Sequence, residues 1–204
     1  MLKKPKNVVL IKGYGPSHDE RWQHQEESHA REQGLRSLFD QGIPGFQEGD
    51  TPSVDEFIQF MDHILGKNNV DPEETIVLAH SLGGNGWLHF LAQRAEFRTC
   101  LTRLFGTPLE NRTGLAEVDG FFPTPAFADF TPDDRRRIAV IGSDNDSIIK
   151  EGPEPLTSHL ECDGLEVPGA GHFMPAALHQ DSSQSDLGRE WGRVRGSLLH
   201  YLPY

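Results

Sequence analysis

A serine, a pair of carboxylates and a histidine stand in this chain where they could share one proton path. Ser81 lies in Ala79-His80-Ser81-Leu82-Gly83, flanked two residues away on each side by residues with almost no side chain. Asp144 and Asp146 lie in Gly142-Ser143-Asp144-Asn145-Asp146, and His172 in Gly169-Ala170-Gly171-His172-Phe173. A serine hydroxyl is a weak nucleophile until a base removes its proton. A histidine can be that base, and a carboxylate can hold its second ring nitrogen. The chemistry open to such a set is acyl transfer. His172 deprotonates Ser81, Ser81 attacks a carbonyl carbon, and His172 then activates the water that clears the acyl-enzyme. The developing oxyanion needs N–H donors. Leu82, directly after the serine, offers one, and Tyr14 or Gly15 offers a second.

Residues so far apart in sequence meet only if strands deliver them to one edge. Ile76-Val77-Leu78-Ala79 is an apolar run with two β-branched members and reads as a buried strand. A small-residue turn around Ser81 and a helix-like segment follow, the context in which a G-x-S-x-G nucleophile elbow carries meaning. Ala79 replaces the first glycine but is the smallest substitute for it. Gly83-Gly84-Asn85-Gly86 forms helix poorly by itself, so close packing of that helix on the sheet is expected.

Before this strand, residues 7–12 read as a first strand, with Gly13-Tyr14-Gly15-Pro16 as the loop after it. Glycines there let backbone approach a ligand, while the lack of a third glycine argues against a dinucleotide site. A helix is expected over 19–33, with Trp22 as its anchor and His18, His24 and His29 at non-repeating, surface-like spacings. Residues 35–40 read as a second strand. Ser53 and Glu56 suggest a capping box, and Val54, Phe57, Ile58, Met61, Ile64 and Leu65 form one helical face. After the serine come a strand at 100–105, another at 138–142, a helix around 153–160 and a last strand at 164–167. Leu187, Trp191, Val194 and Leu198 suggest a closing helix. Strands alternating with helices predict a parallel, doubly wound α/β sheet.

Both aspartates follow a strand's C-terminal end, where open α/β sheets place their sites. Asp146 is followed at its third position by Ile149, the D-x-x-I spacing usual for a triad acid, and is preferred over Asp144. The segment 106–134 interrupts the alternation and sets Phe121, Phe122, Phe127 and Phe130 among prolines. Those rings either cover the sheet or, for Phe121, Phe122 and Phe127, wall an acyl pocket. The segment is too short for a lid domain, so a shallow, open site is expected. Arg135-Arg136-Arg137 reads as a solvated run.

Composition bounds the partners. The chain has 204 residues, enough for one domain with a full core. It carries 31 acidic against 19 basic residues, a net charge of −12, which argues against nucleic acid or an anionic membrane as partner. No apolar run reaches signal-peptide or membrane-span length, so a cytoplasmic location is expected. Cys100 and Cys162 read as reduced, half-buried residues with neither a disulfide nor a metal role.

Taken together, Gly13-Tyr14-Gly15 with Trp22 downstream, Ala79-His80-Ser81-Leu82-Gly83, the 142–146 loop and Gly171-His172-Phe173 resemble the small single-domain serine hydrolases of the YdeN-like and retinoblastoma-binding-protein group, within the α/β-hydrolase superfamily. The resemblance spans the chain. It implies a three-layer α/β/α sandwich on a minimal sheet of about six strands in the order 2-1-3-4-5-6. It further implies a Ser–Asp–His triad, no metal and no cofactor. The chain departs from the group at Ser147, where proline is common, and in its long connections at 41–51 and 106–134. The expected function is a carboxylesterase-like serine hydrolase acting on a small-molecule acyl ester. The competing expectation is a protein-binding module on a hydrolase fold with little or no physiological turnover, since fold alone does not fix function.

Overall fold

The computed structural model describes residues 3–15, 27–28, 30–39, 42–47, 49–125 and 127–173. Six strands form one sheet: β1 (Asn7–Ile11), β2 (Arg36–Phe39), β3 (Thr75–His80), β4 (Leu101–Phe105), β5 (Ile138–Gly142) and β6 (Asp163–Glu166). All neighbours are parallel, and the order is β2-β1-β3-β4-β5-β6. The chain winds outward from β1 in both directions, so the C-terminal ends of all six strands open on one edge.

The inner strands β1, β3, β4 and β5 are mostly apolar and buried because both faces of the sheet are covered there, while the edge strand β6 is largely exposed. Alternate residues point to opposite sides. Val9, Ile11, Val77, Ala79, Leu104 and Val140 join the larger core, while Val8, Leu10, Ile76, Leu78, Leu101, Phe105 and Ile141 join the other. Helix α1 (Val54–Lys67) buries Phe57, Ile58, Met61 and Leu65 in the larger core. Its N-cap is Ser53, whose Oγ accepts the Glu56 N–H at 3.5 Å. Helix α2 (Leu82–Gln93) packs beside α1 and is buried along nearly its whole length. Its glycines are a packing requirement. A Cβ on Gly83 would lie 2.1 Å from the Lys12 carbonyl oxygen, one on Gly84 2.1 Å from Thr107 Oγ1, and one on Gly86 2.8 Å from the Phe57 ring. Helix α2 therefore lies against β1, the β4 exit and α1 at distances that only glycine permits.

Two short α-helices follow, α3 (Pro132–Arg135) and α4 (Glu154–Leu160), and short 3₁₀ turns cover Pro72–Glu74, Ala95–Thr99 and Ala116–Phe121. Thr131 and Asp134 form a full capping box at α3, which the sequence reading did not identify. Two of the three arginines expected to be solvated are structural. Arg135 donates to the Leu160 and Phe127 carbonyls and Arg137 to that of Thr99, while Arg136 stays exposed beside Asp133. Of the helix expected over 19–33, residues 27, 28 and 30–32 are helical. Trp22, His18, His24, His29 and the expected closing helix with Leu187, Trp191, Val194 and Leu198 lie outside the described residues. Cys100 is buried, Cys162 half-buried, and both thiols are free. Burial pushes each thiol pKa up to about 12. Among the described residues no helix is long and apolar enough to cross a membrane.

The segment 106–134 closes onto the body of the protein. Asn85 is fully buried on α2, where its Nδ2 donates to the Pro108 carbonyl at 2.9 Å and to Thr124 Oγ1 at 3.2 Å. His89 Nε2 donates to the Phe121 carbonyl at 3.1 Å. These bonds tie the irregular connection to the helix that begins at the serine.

Candidate active site

Ser81 occupies the turn between β3 and α2, with φ 52° and ψ −129°. A positive φ is costly for a side-chain-bearing residue, and two backbone bonds hold it there. The Ser81 N–H donates to the Phe105 carbonyl at 2.8 Å, and the Ser81 carbonyl accepts the Gly84 N–H at 2.9 Å. The crowding extends to the loop after β1, where a Cβ on Gly13 would lie 2.9 Å from Ser81 Cβ. The hydroxyl is thereby lifted off the sheet edge at the start of α2, and the first N–H groups of that helix have no partner within it.

His172 reaches the serine from the loop after β6. Its Nε2 lies 3.0 Å from Ser81 Oγ, and its Nδ1 2.7 Å from Asp146 Oδ2. Asp146 comes from the loop after β5, and its side chain is 1% exposed. Its other oxygen accepts the N–H groups of Ile148 and Ile149, each at 2.8 Å. Asp146 thus serves as an acceptor at both oxygens, and the shared hydrogen is assigned to His172 Nδ1. Nε2 is then left with its lone pair toward the Ser81 hydroxyl, the tautomer a general base requires.

The neighbours of Asp146 fix the histidine loop, and Asn145 Oδ1 also braces the acid's own turn by accepting the Ser143 hydroxyl at 2.8 Å. Asp144 Oδ1 accepts the Gly169 N–H at 2.7 Å, and Asn145 Oδ1 accepts the Gly171 N–H at 2.6 Å. Residues 144, 145 and 146 thus hold positions 169, 171 and 172 in turn. Gly106 keeps the space clear, since a Cβ there would lie 3.1 Å from His172 Nδ1.

His80 is the main residue that the sequence reading missed. It is 2% exposed, directly before the serine, and its ring centroid lies 4.9 Å from that of His172. Its Nε2 is 2.7 Å from the His172 backbone carbonyl, which can only accept, so Nε2 carries the proton and donates. Burial, and then the charge of the neighbouring His172 ring, lower its pKa from 6.5 to about 3. A neutral His80 therefore pins the backbone of His172 to the end of β3. The only signal in the sequence was adjacency to the serine.

A recess of about 440 Å³ opens over Ser81 and His172, lined also by Tyr14, Leu82, Leu115, Val118, Phe122 and Ile148 among others. Of the three phenylalanines considered for it, Phe122 alone lines it. Phe121 is fully buried against Phe46 and Phe57, and Phe127 packs on Phe130. Both are core residues because their ring faces are already covered. Gly15 is also set apart, since its N–H donates to the Phe46 carbonyl at 3.3 Å, which leaves Tyr14 as the donor candidate beside Leu82. Tyr14 is itself fixed through its hydroxyl, which donates to the Asp50 carbonyl and accepts the Gly49 N–H, both at 3.1 Å. Among the described residues no group of three His, Cys, Asp or Glu side chains is arranged to hold a metal ion.

A family model described as serine hydrolase matches residues 8–186. No match was found among the curated proteins. Solved structures share the fold. The ydeN gene product of B. subtilis superposes with a TM-score of 0.64 at 19% identity, over 92% of this chain and 99% of its own. A monoacylglycerol lipase from Paleococcus ferrophilus gives 0.65 at 16% identity, over 97% and 96%. The type II thioesterase BorB of the borrelidin biosynthetic cluster gives 0.54 at 17% identity, over 93% and 92%.

Proposed function

The chain belongs to the serine hydrolase family, and from that premise we propose that it is a carboxylesterase-like enzyme cleaving small acyl esters through Ser81, His172 and Asp146. The observation that carries this reading is the pair of contacts on one imidazole, 2.7 Å to Asp146 and 3.0 Å to Ser81. In the proposed cycle His172 takes the Ser81 proton on Nε2 as Oγ adds to the substrate carbonyl. Asp146 stabilises the imidazolium. The N–H groups of Leu82 and Tyr14 receive the oxyanion at the nucleophile elbow. Collapse of the tetrahedral intermediate breaks the ester C–O bond, and the alcohol leaves with the proton from His172. Water then gives a proton to the same nitrogen as its oxygen adds to the acyl carbon, and collapse breaks the C–Oγ bond, releasing the acid and returning the proton to Ser81 Oγ.

An ester is the favoured substrate because an alkoxide protonated by one histidine leaves easily, and because the apolar wall of Leu115, Val118, Phe122 and Ile148 suits an acyl chain. Two structural neighbours, by their names, act on acylglycerols and thioesters, both substrates of acyl transfer. A fluorophosphonate probe tests the nucleophile. It is expected to label the wild type on the peptide containing Ser81 and to leave Ser81→Ala unlabelled. A folded wild type that resists the probe and turns over no ester would remove the enzyme reading and restore the binding-module alternative.

A further inference from the structure

We infer that the ester taken by this site carries an anionic group, a carboxylate or a phosphate, recognised by Arg112 and Lys150. This inference rests on the hydrolase reading above and deepens it. Among the described residues that line the recess over Ser81, the charged side chains are Arg112 and Lys150, and none is a carboxylate. That runs against the chain as a whole, in which acidic residues outnumber basic ones 31 to 19. Asp146 does not line the recess, and its oxygens are occupied by His172, Ile148 and Ile149.

The two cations come from different segments. Arg112 belongs to the connection after β4 and Lys150 to the loop after β5, so the fold brings them to one recess independently. Arg112 is braced from behind. Its Nη2 lies 3.1 Å from Glu110 and 3.4 Å from Glu151. Those glutamates line a separate recess of about 160 Å³ next door, and neither lines the one over the serine. A guanidinium has five donors in a planar fork, so the bracing orients it and leaves donors for a second oxyanion. Lys150 is exposed and makes no ion pair among the described residues. Leu115, Val118, Phe122, Ile148 and Pro108 make an apolar wall, and Thr113 and Ser147 add uncharged hydroxyls to the lining. A neutral, purely aliphatic ester would use that wall and leave both cations idle. An ester with an apolar body and an anionic end uses both.

The test compares esters of equal length. Benzyl hemiadipate supplies the carboxylate, 1-hexanoyl-glycerol 3-phosphate the phosphate, and benzyl hexanoate and 1-hexanoyl-glycerol are their neutral counterparts. The wild type is expected to show kcat/KM about five- to tenfold higher for at least one anionic ester than for its neutral counterpart, the size expected of two partly exposed ion pairs. A gain for the hemiadipate alone assigns a carboxylate on the acyl side, and a gain for the glycerol phosphate alone assigns a phosphate on the alcohol side. In Arg112→Gln/Lys150→Gln the ratio of anionic to neutral ester should fall to about one. Calorimetric binding of the same four compounds to Ser81→Ala reads the anion site without turnover. Preferential binding there with no turnover by the wild type would keep the anion site and reject the hydrolase. Turnover of the neutral esters as fast as the anionic ones, or a ratio unchanged in the double variant, would overturn the inference and leave the hydrolase standing.

Discussion

Asp144 and Asp146 stand two residues apart in one loop, yet their oxygens face different partners. Asp146 Oδ2 meets His172 Nδ1, while Asp144 Oδ1 meets the Gly169 N–H. Asp146→Asn would replace an acceptor with an amide and favour the tautomer that puts hydrogen on Nε2, where it blocks proton transfer from Ser81. A loss of about 10⁴ in kcat is expected with the fold intact by circular dichroism. Asp144→Asn keeps a side-chain oxygen for Gly169 and should lose no more than about tenfold, the equivalent of one weakened hydrogen bond. Equal losses in both would remove Asp146 from its role. The D-x-x-I spacing pointed to the aspartate that lies against His172 Nδ1, and the small residues around Ser81 and His172 pointed to the other two members of that chain of contacts. Asp144, Asn145 and His80 were not legible as supports, because they act through backbone groups of a loop far along the chain. Phe121 and Phe127 misled for a related reason: an aromatic residue in an irregular segment gives no sign of which side of its backbone the core lies on.

At the scale of elements, the strand pattern was plain because a parallel sheet covered on both faces leaves long apolar runs. Helix α2 was the harder case. Gly83-Gly84-Asn85-Gly86 has poor helix propensity, and tertiary packing overrides it. The same residue type therefore predicts opposite outcomes at two helical positions. Gly83→Ala would set a Cβ 2.1 Å from the Lys12 carbonyl, a backbone atom that cannot move aside without shifting β1. That change should cost about 3 kcal/mol or more, or prevent folding. Gly66 lies in the last turn of α1 with nothing within 4 Å of where its Cβ would be. Gly66→Ala should stabilise by about 0.5–1 kcal/mol through lower unfolded-state entropy. Urea denaturation of both variants checks the pair. A tolerated Gly83→Ala would mean that α2 sits farther from β1 than described.

For the molecule as a whole, the junction of β3 with the histidine loop couples stability to pH. The folded protein keeps His80 neutral, with its pKa lowered from 6.5 to about 3 by burial first and then by His172. The unfolded chain takes a proton on this residue as pH falls through 6.5, while the folded chain does not until about 3. Between those values the unfolded state binds more protons, so stability rises with pH there and is lost as pH falls. Above 6.5 the contribution is complete. Each unit of pH within the window changes stability by about 1.4 kcal/mol per proton. Other groups titrate in the same range, including His89, whose pKa burial also lowers, and the comparison must cancel them. His80→Gln does so. Its side-chain amide can still donate to the His172 carbonyl, and it does not titrate. Urea unfolding at pH 7 and pH 4.5 should show wild type losing about 2–3 kcal/mol more than His80→Gln across that interval. The glutamine variant should be the less stable at pH 7, where the imidazole packs neutral against His172, and the gap should narrow or reverse in acid. Parallel stability curves for the two proteins would mean that His80 is hydrated or charged in the fold, and that it does not hold the His172 loop in the way its 2.7 Å bond implies.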